Sequence, residues 1–244
     1  MRKLLLYLMP GIMAIIGASS QVYCPDIPAN PPGQPFDPLK VAGIWYEYTY
    51  RNGPIGNDPA ATNVMMNVTI LGPSPNPPAG SSYYVTWIYN FFFHIPTPKD
   101  PLMCLAFPQQ GNISTDGTRH VLVQRGGANA TLMNFTYISL FTDYNLVQLW
   151  YQCNSTNPDG IRCDQPFLWT YTRIKPPLLT ADQKTYIENL ANQYFPKVCR
   201  SFKDMDMTTW DLYTQFPTCN TGANNVPPLS PIFLASMPNL NATG

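Results

Sequence analysis

Gly43-Ile44-Trp45-Tyr46-Glu47-Tyr48 is the stretch on which the reading of this chain turns. Gly43 has no Cβ, so another segment can approach its backbone closely. Trp45 is a large, rigid apolar body whose single N–H needs a partner when buried. The residues that follow are rich in β-formers, so a strand starts here with a tryptophan at its base. Alone, such a stretch is a glycine turn beside a core tryptophan. Its company gives it weight: Thr142-Asp143-Tyr144 and, later, Arg173 at the end of Phe167-Leu-Trp-Thr-Tyr-Thr-Arg173.

Ahead of this stretch, residues 21–41 are Pro-rich and read as an extended leader rather than a helix. Further out, Met1-Arg2-Lys3 and the apolar run from Leu4 to Ile16 read as a secretory signal peptide over residues 1–20, with cleavage after Ser20. The run is short for a membrane span and contains Pro10. No later segment is apolar enough to cross a bilayer, so no transmembrane segment is expected in the mature chain. Secretion makes the cysteines readable: Cys24, Cys104, Cys153, Cys163, Cys199 and Cys219 suggest three disulfides, with 15 connectivities open. None has C-x-x-C spacing, and His94 and His120 are isolated, so no metal site is expected. Sequons begin at Asn67, Asn112, Asn129, Asn134, Asn154 and Asn241, a density that fits a secreted glycoprotein.

Behind it, β-patterned runs recur between Gly- and Pro-rich turns. Strands are expected at Gly43–Tyr50, Thr62–Leu71, Ser82–His94, Leu102–Phe107, Thr118–Gln124, Thr131–Phe141, Leu146–Cys153 and Pro166–Ile174. Regular spacing argues for an antiparallel all-β domain, a barrel or a sandwich. Pro176-Pro177 stop the strands. Thr180-Ala-Asp-Gln183 then carries a capping-box pattern, and apolar residues at helical spacing predict a helix over about 180–195. The domain is expected to span 42–199. Residues 200–244 are expected to be irregular and pinned by disulfides, then flexible. Only 11% of the 244 residues are charged and net charge is zero, so a nucleic-acid partner is not expected.

The chain resembles the lipocalin family. Members share a first-strand G-x-W, a T-D-Y between the sixth and seventh strands and an Arg closing the eighth. Here these are Gly43/Trp45, Thr142-Asp143-Tyr144 and Arg173. It is most similar to the apolipoprotein D and insect bilin-binding branch, through Phe36-Asp37 ahead of Val41 to Glu47, Thr142-Asp-Tyr144 leading to Trp150-Tyr-Gln-Cys153, and Trp169 to Arg173 before a helix. The resemblance covers about residues 24–196. It implies an eight-stranded up-and-down antiparallel barrel with one C-terminal helix packed outside. It also implies a Cys24–Cys153 disulfide, and a second bridge from Cys104 to Cys199 or Cys219, with Cys163 joined to the other. A second-strand cysteine found in that branch is absent here.

A closed barrel of eight strands has one shut end and room for one small ligand. Trp45 can plug the shut end, and Arg173 can lie across its indole, worth about 0.5–2 kcal/mol. Asp143 can accept backbone N–H groups in a tight turn. Gly43, Trp45, Thr142, Asp143, Tyr144 and Arg173 are therefore read as closing the barrel rather than as catalytic. Alternation points Trp87, Tyr89 and Phe91 inward from the third strand, Phe167, Trp169 and Tyr171 from the eighth, and Glu47 and Thr49 from the first. The abundance of Tyr suits an apolar ligand with a few polar handles: a fatty acid, sterol, retinoid, carotenoid or bilin. No cofactor is required, and no catalytic motif such as G-x-S-x-G or H-E-x-x-H is present, so the chain is read as a carrier and not an enzyme. The alternative is a secreted structural or nutritive glycoprotein with a filled barrel.

Overall fold

The computed structural model describes residues 27–51, 62–73, 84–94, 104–124, 132–153, 156 and 158–210, with the side chains of 84–94, 104–108, 110, 120–124 and 132–134 outside that description. Eight strands follow one another: β1 (Gly43–Arg51), β2 (Thr62–Pro73), β3 (Tyr84–His94), β4 (Cys104–Ser114), β5 (Thr118–Gln124), β6 (Leu132–Thr142), β7 (Val147–Cys153) and β8 (Pro166–Thr172). Each pairs antiparallel with the next, and β1 pairs with both β2 and β8, which closes the sheet into a barrel.

Helix α1 (Ala181–Tyr194) follows β8. The Thr180 hydroxyl accepts from Gln183 N–H while the Gln183 side chain accepts from Thr180 N–H, so two otherwise orphaned donors at the helix start are satisfied. Ile187 and Ala191 bury against the outer face of the barrel, with Leu149, Leu168, Tyr48 and Ile138. The inner face carries a second cluster containing Trp45, Tyr137, Trp150 and Trp169. β7 and β8 lie between the two, and are therefore buried along nearly their whole length, Cys153 being half-buried, rather than alternately.

Four features differ from the sequence-based expectation. The leader is not wholly extended: Pro38–Val41 form a 3-10 turn, begun by Asp37, whose Oδ1 accepts from Leu39 N–H, with Pro38 at the first turn position. β4 does not stop at Phe107 but continues through Pro108 to Ser114. The pairing of β4 with β5 spans Gln110–Ile113 only, so at Pro108 that edge has no ladder for a missing N–H to interrupt. Cys153 pairs with Cys163, not with Cys24. The segment after β7 doubles back, bridging Thr156 to Cys163, and brings the two Cα atoms to 5.7 Å, within disulfide reach. This also removes Cys163 from any bridge to Cys199 or Cys219. Cys199 is itself disulfide-bonded, while Cys24, Cys219 and the Cys104 side chain lie outside the described residues.

The fourth difference bears most on function. Beyond Cys199 the chain is not simply irregular. Asp206–Met207 form a short ninth strand, β9, antiparallel to β1, with Met207 opposite Thr49 and Asp206 opposite Tyr50. Asp204 to Met207 alternates charged and apolar residues over too short a run to signal a strand.

Candidate functional site

The shut end is built on Trp45, which is fully buried. Its indole N–H donates to the Val41 carbonyl at 2.8 Å, so the 3-10 turn of the leader supplies the partner that a buried tryptophan needs. The Arg173 guanidinium stacks 3.8 Å from the centre of the same ring. Its Nε donates to Tyr144 O, Nη1 to Ile44 O and Nη2 to Lys40 O, at 2.9–3.1 Å. One cation thus ties the leader, β1 and the β6–β7 turn together. Gly43 permits this approach. It adopts φ +99°, and a Cβ there would lie 3.1 Å from Arg173 Nη1.

The β6–β7 turn is held by side chains bonded to their own backbone. Asp143 Oδ1 accepts from the N–H groups of Asn145, Leu146 and Val147. Thr142 Oγ1 donates to Val147 O and accepts from Tyr144 N–H. The Tyr144 hydroxyl accepts from Asp37 N–H of the leader. Asp143 Oδ2 accepts from the Tyr186 hydroxyl, which links the turn to α1.

Above this base, Phe167, Trp169 and Tyr171 line one wall of the interior from alternate positions of β8. Trp169 meets Tyr137 of β6 with ring centres 5.5 Å apart and Phe167 edge-on at 6.0 Å. Trp87, Tyr89 and Phe91 stand across from Ile70, Val68 and Met66 in the β2–β3 register; their side chains lie outside the described residues. On β1 the alternation is broken by a bulge at Tyr48. Glu47 pairs with Tyr171, then Thr49 with Thr170 and Tyr50 with Trp169. Tyr50, not Thr49, therefore rejoins the interior cluster, because an extra residue shifts the faces by one.

Glu47 is 1% exposed. Burial pushes its carboxyl up to about 8, although the hydrogen bond from Thr208 works in the opposite direction. That bond, from the Thr208 hydroxyl to Glu47 Oε1, measures 2.8 Å and comes from the segment just after β9. The carboxyl is thus largely protonated near neutrality, able to donate as well as accept. Arg119, buried on β5, lies 4.0 Å from the Tyr137 ring centre and 4.5 Å from that of Trp150, which Phe36 of the leader meets edge-on. A cavity of about 230 Å³ opens beside β6 and β7, lined by Phe135, Thr136, Gln152 and Cys153 with Ala29 and Asn30 of the leader.

The chain matches no family model and no curated protein by sequence. Among solved structures it is similar to insecticyanin from the tobacco hornworm Manduca sexta, at 14% identity over 78% of this chain and 87% of that one, with a TM-score of 0.52. The fold is that of a lipocalin. Two lesser likenesses are the cockroach allergen Per a 4, at 13% identity over 75% of this chain and 93% of that one with a TM-score of 0.49, and lobster apocrustacyanin A1, at 12% identity over 75% and 90% with a TM-score of 0.47.

Within this lipocalin fold the structure brings Glu47, Phe167, Trp169 and Tyr171 to one interior, and Gly43, Trp45, Thr142, Asp143, Tyr144 and Arg173 to one end. Sequence reasoning passed over Tyr50, Tyr137, Trp150, Arg119 and Thr208. Alternation along β6 and β7 carried a signal for Tyr137 and Trp150. Nothing local marked Arg119 or Thr208. Asn67 and Asn112 are half-buried on β2 and β4, between inward-facing neighbours such as Met66 and Ile113. Asn134 belongs to β6 with its side chain outside the described residues, as are Asn129, Asn154, Asn241 and the expected signal peptide.

Proposed function

We propose that this chain is a secreted, glycosylated carrier that holds one small hydrophobic molecule in the barrel and does not change it chemically. The observation that carries this reading is the aromatic wall of Phe167, Trp169 and Tyr171, continued by Tyr50 and Tyr137, above an end stoppered by Trp45 and Arg173. Such a wall gives an apolar ligand its main contact area, while a few convergent polar groups fix orientation. Glu47 supplies one, and its protonated carboxyl suits a ligand with a carbonyl, hydroxyl or carboxylic acid at one end. A fatty acid, sterol, retinoid, carotenoid or bilin meets that description. Trp87, Tyr89 and Phe91 are proposed to complete the wall from β3.

The test is native mass spectrometry of protein purified gently from its source, followed by organic extraction and a visible absorption spectrum. A stoichiometric small molecule is the expected result, and its mass and colour distinguish lipid from pigment. Protein that arrives empty, and remains empty when offered fatty acids, retinoids and bilins, defeats the reading. One observation favours the rival filled-barrel glycoprotein: Arg119, Tyr137, Trp150 and Phe36 pack tightly across the lower interior.

A further inference from the structure

The barrel wall is not made of β1 to β8 alone. Direct pairing of β1 with β2 runs only from Gly43 opposite Val68 to Tyr46 opposite Met65. Past Tyr46 the two strands part, and the segment Asp206–Trp210 lies between them. On one side it pairs with Thr49 and Tyr50 of β1, and Thr208 N–H donates to Tyr48 O. On the other it bridges Thr62 of β2 through Thr209, whose carbonyl accepts from Asn63 N–H. Trp210 donates its indole N–H to Glu47 O and sits edge-on to Tyr46 at 5.6 Å. Thr208 alone turns inward, to Glu47.

This insert is held lightly. Asp206, Met207 and Thr209 are exposed, and its ladder with β1 is two residue pairs long. Elsewhere neighbouring strands share four to eleven pairs and bury apolar side chains on the interior. Segments with few buried apolar contacts and short ladders open at a lower free energy than the fold as a whole. Directly behind this one lies the buried carboxyl of Glu47 and, beside it, Tyr171 and Tyr50 of the interior wall.

Resting on the carrier reading, we infer that Asp206–Trp210 is a hinged wall panel: it swings out from between β1 and β2 to open a side entrance to the barrel, and Thr208 and Trp210 latch it shut on Glu47. A ligand reaches the interior between strands, beside the polar group that orients it.

The test uses the full-length protein. Amide hydrogen exchange should show Asn63 and Thr208 losing protection together, about tenfold or more faster than the β7–β8 ladder. Trp210→Ala should speed those two sites by a further factor of about ten and leave β7–β8 unchanged. Thr208→Val, which keeps the side-chain volume, should do so more weakly and serves if Trp210→Ala does not fold. With cis-parinaric acid as probe, the variants should release ligand faster while affinity changes less, as a lowered gate requires. Equal exchange at Asn63, Thr208 and the β7–β8 ladder would overturn the inference, as would loss of protection throughout the barrel or unchanged release rates. Exchange is read without ligand, so a barrel that takes up no probe counts against the carrier reading, and the panel is then decided by exchange.

Discussion

The two halves of β1 are one continuous strand with opposite fates. The half from Gly43 to Tyr46 pairs residue for residue with β2, meets β8 at Tyr46, carries the fully buried Trp45 and is clamped by Arg173, whose guanidinium bonds three backbone carbonyls. The half from Glu47 to Arg51 contains a bulge, holds a buried acid, and borrows its second neighbour from the far end of the described chain. The first half makes a permanent stopper. The second makes a wall that can be replaced. On the proposed carrier reading, a barrel that retains and exchanges a ligand needs rigidity and weakness at different heights, and here the change occurs within nine residues.

The sharpest way to break this contrast is to remove the stopper. Trp45→Ala should cost about 3–5 kcal/mol, read as a fall in melting temperature, because a large buried ring leaves an unfilled base. An unchanged melting temperature would mean the shut end contributes no more than the open half. Arg173→Ala should cost about 2–3 kcal/mol, through three lost carbonyl bonds and the lost indole stack. Arg173→Lys should recover less than half of that, since an ammonium cannot reach three carbonyls from one planar fork. Chemical denaturation of the pair measures both.

Gly43→Ala should be milder, about 1–2 kcal/mol, from the left-handed backbone it would strain and the displaced Arg173. A pH series probes the other half. The raised carboxyl of Glu47, about 8 against an ordinary 4.5, means the folded chain keeps a proton that the unfolded chain releases between those values. Its contribution to stability is therefore complete below about 4.5 and lost as pH rises through about 8. Glu47→Gln keeps an acceptor for Thr208 and should flatten this fall. Melting temperatures from pH 4 to 9 check it, and a wild-type slope surviving in the variant would place its origin elsewhere.

The contrast also separates what the sequence discloses from what it hides. The lower half of β1 is legible because its demands are local and type-specific: a glycine at positive φ, a tryptophan, and an arginine directly after the last paired position of β8, at Gly43, Trp45 and Arg173. The wall on β8 is legible because Phe167, Trp169 and Tyr171 obey simple alternation. The upper half is hidden because a bulge at Tyr48 shifts the count by one without changing residue type, so Thr49 reads as inward and Tyr50 does not. Thr208 reaches Glu47 across 161 residues, with no periodicity to announce it. The Cys153–Cys163 bridge is hidden differently: six cysteines leave 15 pairings open, and the resemblance implies another partner for Cys153.

The panel also has a consequence in time. By Thr172 the chain has made every strand of the eight-stranded wall, yet the upper gap between β1 and β2 still lacks its filler. Thr208 follows only after α1 and Cys199. Contacts of such long sequence separation form late, because loop closure precedes their reward. In order of synthesis, then, every residue of the stopper is made before the panel that fills the side of the wall.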